Sequence, residues 1–333
     1  MKIINVGIIG LGVGEQHLKS LKMNKQVSKI KVYDKNSNKL IKISKKYSVE
    51  YCKSENDIFN DESIDLVCLA SYDKYHYKQI LKCLKKDKHI FVEKPALTNH
   101  REAYRISKIL KSKKVFFGSN YILRKSPRFI KLRQKIKTNY FGKIYHIEAD
   151  YNYGRLKKII KGWRSNDKQY SITLGGAIHV VDLVLFLLNN KIKVKEIKSY
   201  ANKIVSKNSR FSKDDFIISI MKMSNGSIIK ITSNFGCVYP HFHKLAIYGK
   251  NKSFEQIPGS SRVYFQRDKN KFINFNYNYK YNSKGEYLNK FIHSILNFKN
   301  RKFFINEVFE SLAICFTIDK SINQSKSIRV KYY

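Results

Sequence analysis

The segment that most constrains this chain is residues 3–34: an apolar run, a glycine turn, a helical stretch, a second apolar run and an acid. Ile3-Ile4-Asn5-Val6-Gly7-Ile8-Ile9 reads as a buried parallel strand, Gly10-Leu11-Gly12-Val13-Gly14 as a tight turn, and Glu15 to Met23 as a helix. Ile30-Lys31-Val32-Tyr33 makes a second strand that ends on Asp34. A pyrophosphate sits against backbone N–H groups at a helix N-terminus, where side chains would block its approach. The order therefore predicts a dinucleotide-binding unit, with Gly10, Gly12, Val13 and Gly14 at the phosphates and Asp34 on the adenosine ribose hydroxyls. The third glycine of G-x-G-x-x-G would fall at position 15, where this chain has Glu15, with Gly14 one place early; an altered helix entry is expected. Asp34 repels a 2′-phosphate and favours NAD over NADP, while Lys35 next to it offers such a phosphate a cation.

The alternation continues. Asp65–Ala70 is a strand ending at Ser71, His76–Lys85 has helical spacing, and Lys88–Val92 is a strand closed by Glu93-Lys94-Pro95. Arg101–Lys111 is a helix, and Val115–Gly118 a strand leading to Asn120. Such alternation builds a parallel sheet with helices on both faces, and ligands bind beyond the C-terminal ends of its strands. Gly14, Asp34, Ser71, Lys94 and Asn120 all follow strands and should converge on one rim.

Past residue 121 the pattern changes. A helix near 128–137 precedes a strand at 142–151, and strand signals recur at 192–204, 214–223, 227–235, 243–248 and 261–266. The alternating tract 274–281 reads as a strand with one aromatic face. Helices are expected at 174–189, 286–298 and 306–325. The fold class is α/β: a Rossmann domain over 1–121, a doubly wound parallel sheet, then an α/β domain over 122–333 on an open, mostly antiparallel sheet. Trp163-Arg164, on a loop before the 174–189 helix, offers an aromatic face and a fork of donors to a sugar or phosphate.

At 333 residues, 43% of them hydrophobic, the chain can fill two cores. Five scattered cysteines without C-x-x-C spacing argue against a metal site or disulfide framework and for a reducing, cytoplasmic setting. No apolar run approaches the length of a membrane span. The net charge of +41 is spread through nearly every segment, so it reads as lysine-rich composition and not as a specific nucleic-acid site; its field would attract an anionic substrate.

The motifs Gly10-Leu11-Gly12, the strand-end segment through His76, Glu93-Lys94-Pro95, Gly118-Ser119-Asn120-Tyr121 and Gly175-Gly176-Ala177-Ile178-His179-Val180-Val181-Asp182 resemble those of the glucose-fructose oxidoreductase / inositol dehydrogenase / rhizopine-catabolism family. The resemblance covers essentially the whole chain. It implies an oxidoreductase that acts on a sugar or cyclitol carbon with NAD(P), with Ser71, His76, Glu93, Lys94 and Asn120 near the cofactor and Tyr121 near the substrate, where the Trp163-Arg164 loop is also expected. It makes Lys94 and His179 the catalytic acid/base candidates. Several family members carry Asp where this chain has Gly175, and Tyr72-Asp73 stand where many have Pro-Asn. The implied partner is a sugar or nucleotide-sugar, with a homodimer or homotetramer formed through the C-terminal sheet.

Overall fold

The computed structural model describes residues 2–168, 170–189, 192–267, 271–279 and 285–333. In chain order the elements begin with β1 (Ile4–Ile9), α1 (Gly14–Lys22), β2 (Val27–Tyr33), α2 (Ser37–Tyr47), β3 (Glu50–Tyr51) and α3 (Glu55–Asn60). They continue with β4 (Leu66–Leu69), α4 (Asp73–Lys85), β5 (His89–Val92), α5 (His100–Ser112), β6 (Phe117–Ser119), α6 (Pro127–Lys137) and β7 (Ile144–Asn152). Two short helices, α7 (Lys157–Ile160) and α8 (Trp163–Asn166), precede a wide π-helical turn at Thr173–Ala177 that runs into α9 (Ile178–Leu187). Then come β8 (Val194–Asn202), β9 (Phe216–Met223), β10 (Ile228–Asn234), β11 (Phe242–Gly249), β12 (Ser253–Ile257), β13 (Ser260–Tyr264), β14 (Phe272–Asn274), α10 (Glu286–Leu296), α11 (Arg301–Gln324) and β15 (Ile328–Arg329).

The chain divides into two compact units, one of residues 1–125, 281–310 and 333, the other of 126–280 and 311–332. In the first, a parallel six-stranded sheet has the order β3-β2-β1-β4-β5-β6, the doubly wound arrangement whose direction reverses between β1 and β4. Strand β4 is apolar and buried along its whole length, and β5 from Ile90 to Val92, because both faces are covered. One step past the strand ends, backbone N–H groups extend the ladder: Gly10 donates to Tyr33, Ala70 to Ile9, Glu93 to Leu69 and Asn120 to Val92, at 2.8–3.1 Å. These bonds fix the rim that carries the cofactor-side candidates.

The 286–298 helix, expected with the C-terminal sheet, packs here as α10. Its Phe291 lies 5.3 Å, ring to ring, from Phe91 and against the bare Cα of Gly118, where an added Cβ would come within 2.8 Å of the ring. The helix expected at 306–325 begins earlier, as α11, and Arg301 caps the far end of this unit by donating to the carbonyls of Val115 and Leu110 at 2.8 and 2.7 Å.

The second unit is built on a nine-stranded sheet, β14-β13-β12-β11-β7-β10-β9-β8-β15, antiparallel apart from the parallel β7–β10 pair. Helix α9 is buried on every side and packs against β7 and α6. The strand expected at 274–281 is present only as Phe272–Asn274, with residues 280 and 281 outside the described residues. The backbone beyond it is captured elsewhere: Arg128 donates to the carbonyls of Tyr277 and Asn278, and Ser126 to that of Tyr279. No helix among the described residues is long and apolar enough to cross a membrane.

Candidate active site

The candidate residues fall into two groups, one on each unit. In the first, a Cβ at Gly10, whose φ is 90°, would sit 2.5 Å from the carbonyl oxygen of Ala70, so the turn admits only glycine. Nothing lies within 4 Å of the Cβ position of Gly12, which leaves the backbone there open to a phosphate. Gly14 opens α1 with its Cβ position 3.1 Å from Ile8 and 3.3 Å from Ala70. It supplies the close helix–strand packing of the missing third glycine, so the helix entry keeps its usual packing. Val13 is partly exposed on the turn. Glu15, freed from that role, accepts hydrogen bonds from Tyr47 (2.7 Å) and Lys46 (3.0 Å).

Asp34 Oδ2 accepts from the Leu11 N–H at 2.6 Å and from the Lys39 ammonium at 2.7 Å, while Oδ1 accepts from the Asn36 N–H at 2.9 Å. Burial works to raise its carboxyl, but Lys39 and the two backbone donors outweigh it and keep the group below its ordinary value. The cation seated on Asp34 is thus Lys39, one helical turn on, and the neighbouring Lys35 is exposed. An open glycine turn at a helix N-terminus, with an ionised acid at the next strand end, fits a dinucleotide.

Further along the rim, Ser71 donates to Gln79 at 2.7 Å. His76 is fully buried, with Nδ1 2.9 Å from the Pro95 carbonyl and Nε2 3.2 Å from that of Ser71, so it braces the rim from beneath. The Lys94–Pro95 peptide is cis. Glu93 Oε1 meets Nε2 of His17, from α1, at 2.6 Å and the Asn120 amide at 2.8 Å. Burial would raise the Glu93 carboxyl; His17, then Asn120 and Lys94, hold it below its ordinary value. Tyr121 is buried beside Arg124, which pairs at 2.6 Å with Glu307 in the same unit.

In the second unit, His179 on α9 stacks on Tyr151 of β7, with centroids 5.5 Å apart and planes 18° from parallel. The rings of His241 and His243 stand 5.3 and 5.2 Å from Tyr151, and His241 Nε2 is 3.2 Å from its hydroxyl. Burial, reinforced by Tyr170 and Tyr153, keeps the Tyr151 phenol protonated far above neutral pH. Nδ1 of His243 closes on the Tyr279 hydroxyl. Trp163 and Arg164 are set against each other: the guanidinium lies 4.5 Å from the indole and 5.5 Å from the Tyr170 ring. The Tyr170 hydroxyl lies 2.0 Å from where a Cβ on Gly175 would be, so it fills the space of a side chain one turn before His179. Beneath the same turn, Thr173 (2.5 Å) and Ser171 (3.2 Å) donate to Asp319, whose carboxyl is pushed up to about 6 by burial despite those bonds. No cluster of three or more metal-ligating side chains occurs among the described residues.

A family profile described as an oxidoreductase family with an NAD-binding Rossmann fold matches residues 4–121, and the C-terminal domain profile of the same family matches 129–255. The chain belongs to the Gfo/Idh/MocA oxidoreductases. It is 22% identical to the myo-inositol 2-dehydrogenase of Thermotoga maritima over 74% of this chain and 73% of that one. A levoglucosan dehydrogenase in complex with NADH superposes over 100% of both chains with a TM-score of 0.87 at 15% identity. A UDP-N-acetylglucosamine 3-dehydrogenase from Acidithiobacillus ferrooxidans gives 0.79 at 16% identity, over 97% of this chain and 99% of that one.

For this Gfo/Idh/MocA chain, sequence reasoning named the rim residues and His179 but missed His17, Tyr151, Tyr170, His241 and His243. Two signals were available. His241-Phe242-His243 at a strand start puts two imidazoles on one face. His17 follows the glycine turn by one helical turn, on the side of α1 that must meet the sheet.

Proposed function

We propose that this oxidoreductase moves a hydride between a secondary alcohol carbon of a sugar and NAD, and that its substrate is a nucleotide-linked sugar of surface-polysaccharide synthesis. The reading is carried by Lys94, an amine at the C-terminal rim of the parallel sheet, where ligands of such sheets bind. Bound nicotinamide would accept the hydride. Lys94 would take the hydroxyl proton, and His179 is the second acid/base candidate. The stacked Tyr151 fixes the His179 ring plane, and the rings of His241 and His243 stand beside it. The nucleotide-sugar assignment is supported by the +41 charge and by the fold shared with the UDP-N-acetylglucosamine dehydrogenase.

Absorbance at 340 nm during incubation with NAD and a panel of UDP- and TDP-sugars, hexoses and inositols tests the assignment. Reduction only by inositols would support the reading favoured by the Thermotoga relative. Sugar binding with no reduction by any compound would favour a sensor, the reading that the Tyr170-filled Gly175 position supports. We further infer self-association through the outer face of the nine-stranded sheet, where Ile220, Ile228 and Tyr200 are exposed. Light scattering on Ile220→Lys tests it. Five unbridged thiols, four of them buried, support a cytoplasmic location.

A further inference from the structure

The first unit contains a buried charge arrangement that the proposed chemistry has not used. His17 has no exposed surface. Its Nε2 is 2.6 Å from Glu93 Oε1, and its Nδ1 has no hydrogen-bond partner among the described residues. All of the strong polar bonding of this ring is therefore directed at the residue immediately before Lys94. Asn120, from the end of β6, donates to the same oxygen at 2.8 Å and lies 3.4 Å from the imidazole. Phe91 packs 5.6 Å from the ring and closes its apolar side.

We propose that His17 is a positioning residue for Lys94: it offsets and anchors the Glu93 carboxylate, so that the neighbouring amine can give up its proton. The inference rests on the reading of Lys94 as the proton acceptor. A carboxylate next to an amine favours the ammonium form, which cannot accept a proton; a hydrogen-bond donor on that carboxylate weakens its pull. The groups facing Glu93 are His17 from α1, Asn120 after β6, Lys94 itself, and the Cys68 thiol of β4, which burial pushes up and keeps neutral. Because His17 lies one turn into the helix that would receive the pyrophosphate, the arrangement ties that helix to the reacting amine.

The test needs no known substrate. Competitive acetylation of Lys94 by acetic anhydride, with NAD present, is followed across pH by peptide mass spectrometry. His17→Gln should move the labelling midpoint up by about one pH unit, and Glu93→Gln should move it down by a similar amount. His17→Gln added to Glu93→Gln should produce no further rise. Each variant is first checked for NAD binding by calorimetry; for one that fails to bind, the midpoint of the other decides. An unmoved midpoint in a variant that binds NAD normally would overturn the inference and leave His17 with a packing role. Because the labelling reports Lys94 directly, it stands even if turnover proves indifferent to Lys94→Ala, the result that would sink the proton-acceptor reading instead.

Discussion

Asp34 illustrates how much one side chain on the rim must do. It is the proposed ribose acceptor, the acceptor for the Leu11 N–H inside the glycine turn, and the partner of Lys39. Calorimetry should show tighter binding of NADH than of NADPH, and Asp34→Ala should narrow the gap from both sides, by removing a ribose acceptor and releasing Lys39 to a 2′-phosphate. A wild-type preference for NADPH would refute the cofactor assignment. Lys94→Ala should lower turnover by about 10²-fold or more with NAD affinity nearly unchanged. Asp319 carries a pH prediction. Its carboxyl is raised in the folded state from 3.8 to about 6, so folding takes up a proton between those values. That contribution to stability is full below the unfolded value and is lost as pH rises through about 6. Asp319→Asn keeps an acceptor for Thr173 and should be more stable than the parent above pH 6 by about 1–2 kcal/mol, with the difference vanishing near pH 4 in urea titrations.

At the scale of elements, two close contacts govern what can be changed. The wide turn before α9 leaves no room at Gly175, because the Tyr170 hydroxyl is already there. Gly175→Asp, the substitution that would restore the carboxylate of other members, should therefore destabilise the unit by about 1–3 kcal/mol instead of being accommodated. Phe291 is fully buried among Phe91, Phe116 and Phe304, so Phe291→Ala should cost about 3–5 kcal/mol in a denaturant titration. These elements differed in how legible they were beforehand. The strands β1, β4 and β5 are apolar on both faces and announce themselves. Strand β12 does not, because one of its two inward residues is Gln256, which donates to the His243 carbonyl at 2.7 Å and accepts from Arg128 at 3.1 Å. The placement of α10 depends on Phe291 meeting Gly118, a pairing across 173 positions (291 − 118) that no local pattern encodes. His17 was hidden for a similar reason: its partner Glu93 is 76 residues away.

For the molecule as a whole, the +41 charge sets behaviour in solution more than it sets the fold. If it acts by attracting an anionic substrate, kcat/KM for a UDP-sugar should fall steeply between 50 and 500 mM salt, while that for a neutral hexose should not. Binding to mixed duplex DNA should be weak and lost over the same salt range; sequence-selective binding at physiological salt would contradict a purely compositional origin. The division of the chain has a different consequence, one of timing. The sheet that begins at Ile4 is complete only when α10 lays Phe291 over Gly118 and Arg301 seals the carbonyls of Val115 and Leu110. A nascent chain leaves the ribosome N-terminus first, at about 5–20 residues per second, so the opening half waits many seconds for residues made near the end. During that interval Phe91 and Phe116 lack their cover, so a unit whose strands are made early is finished late.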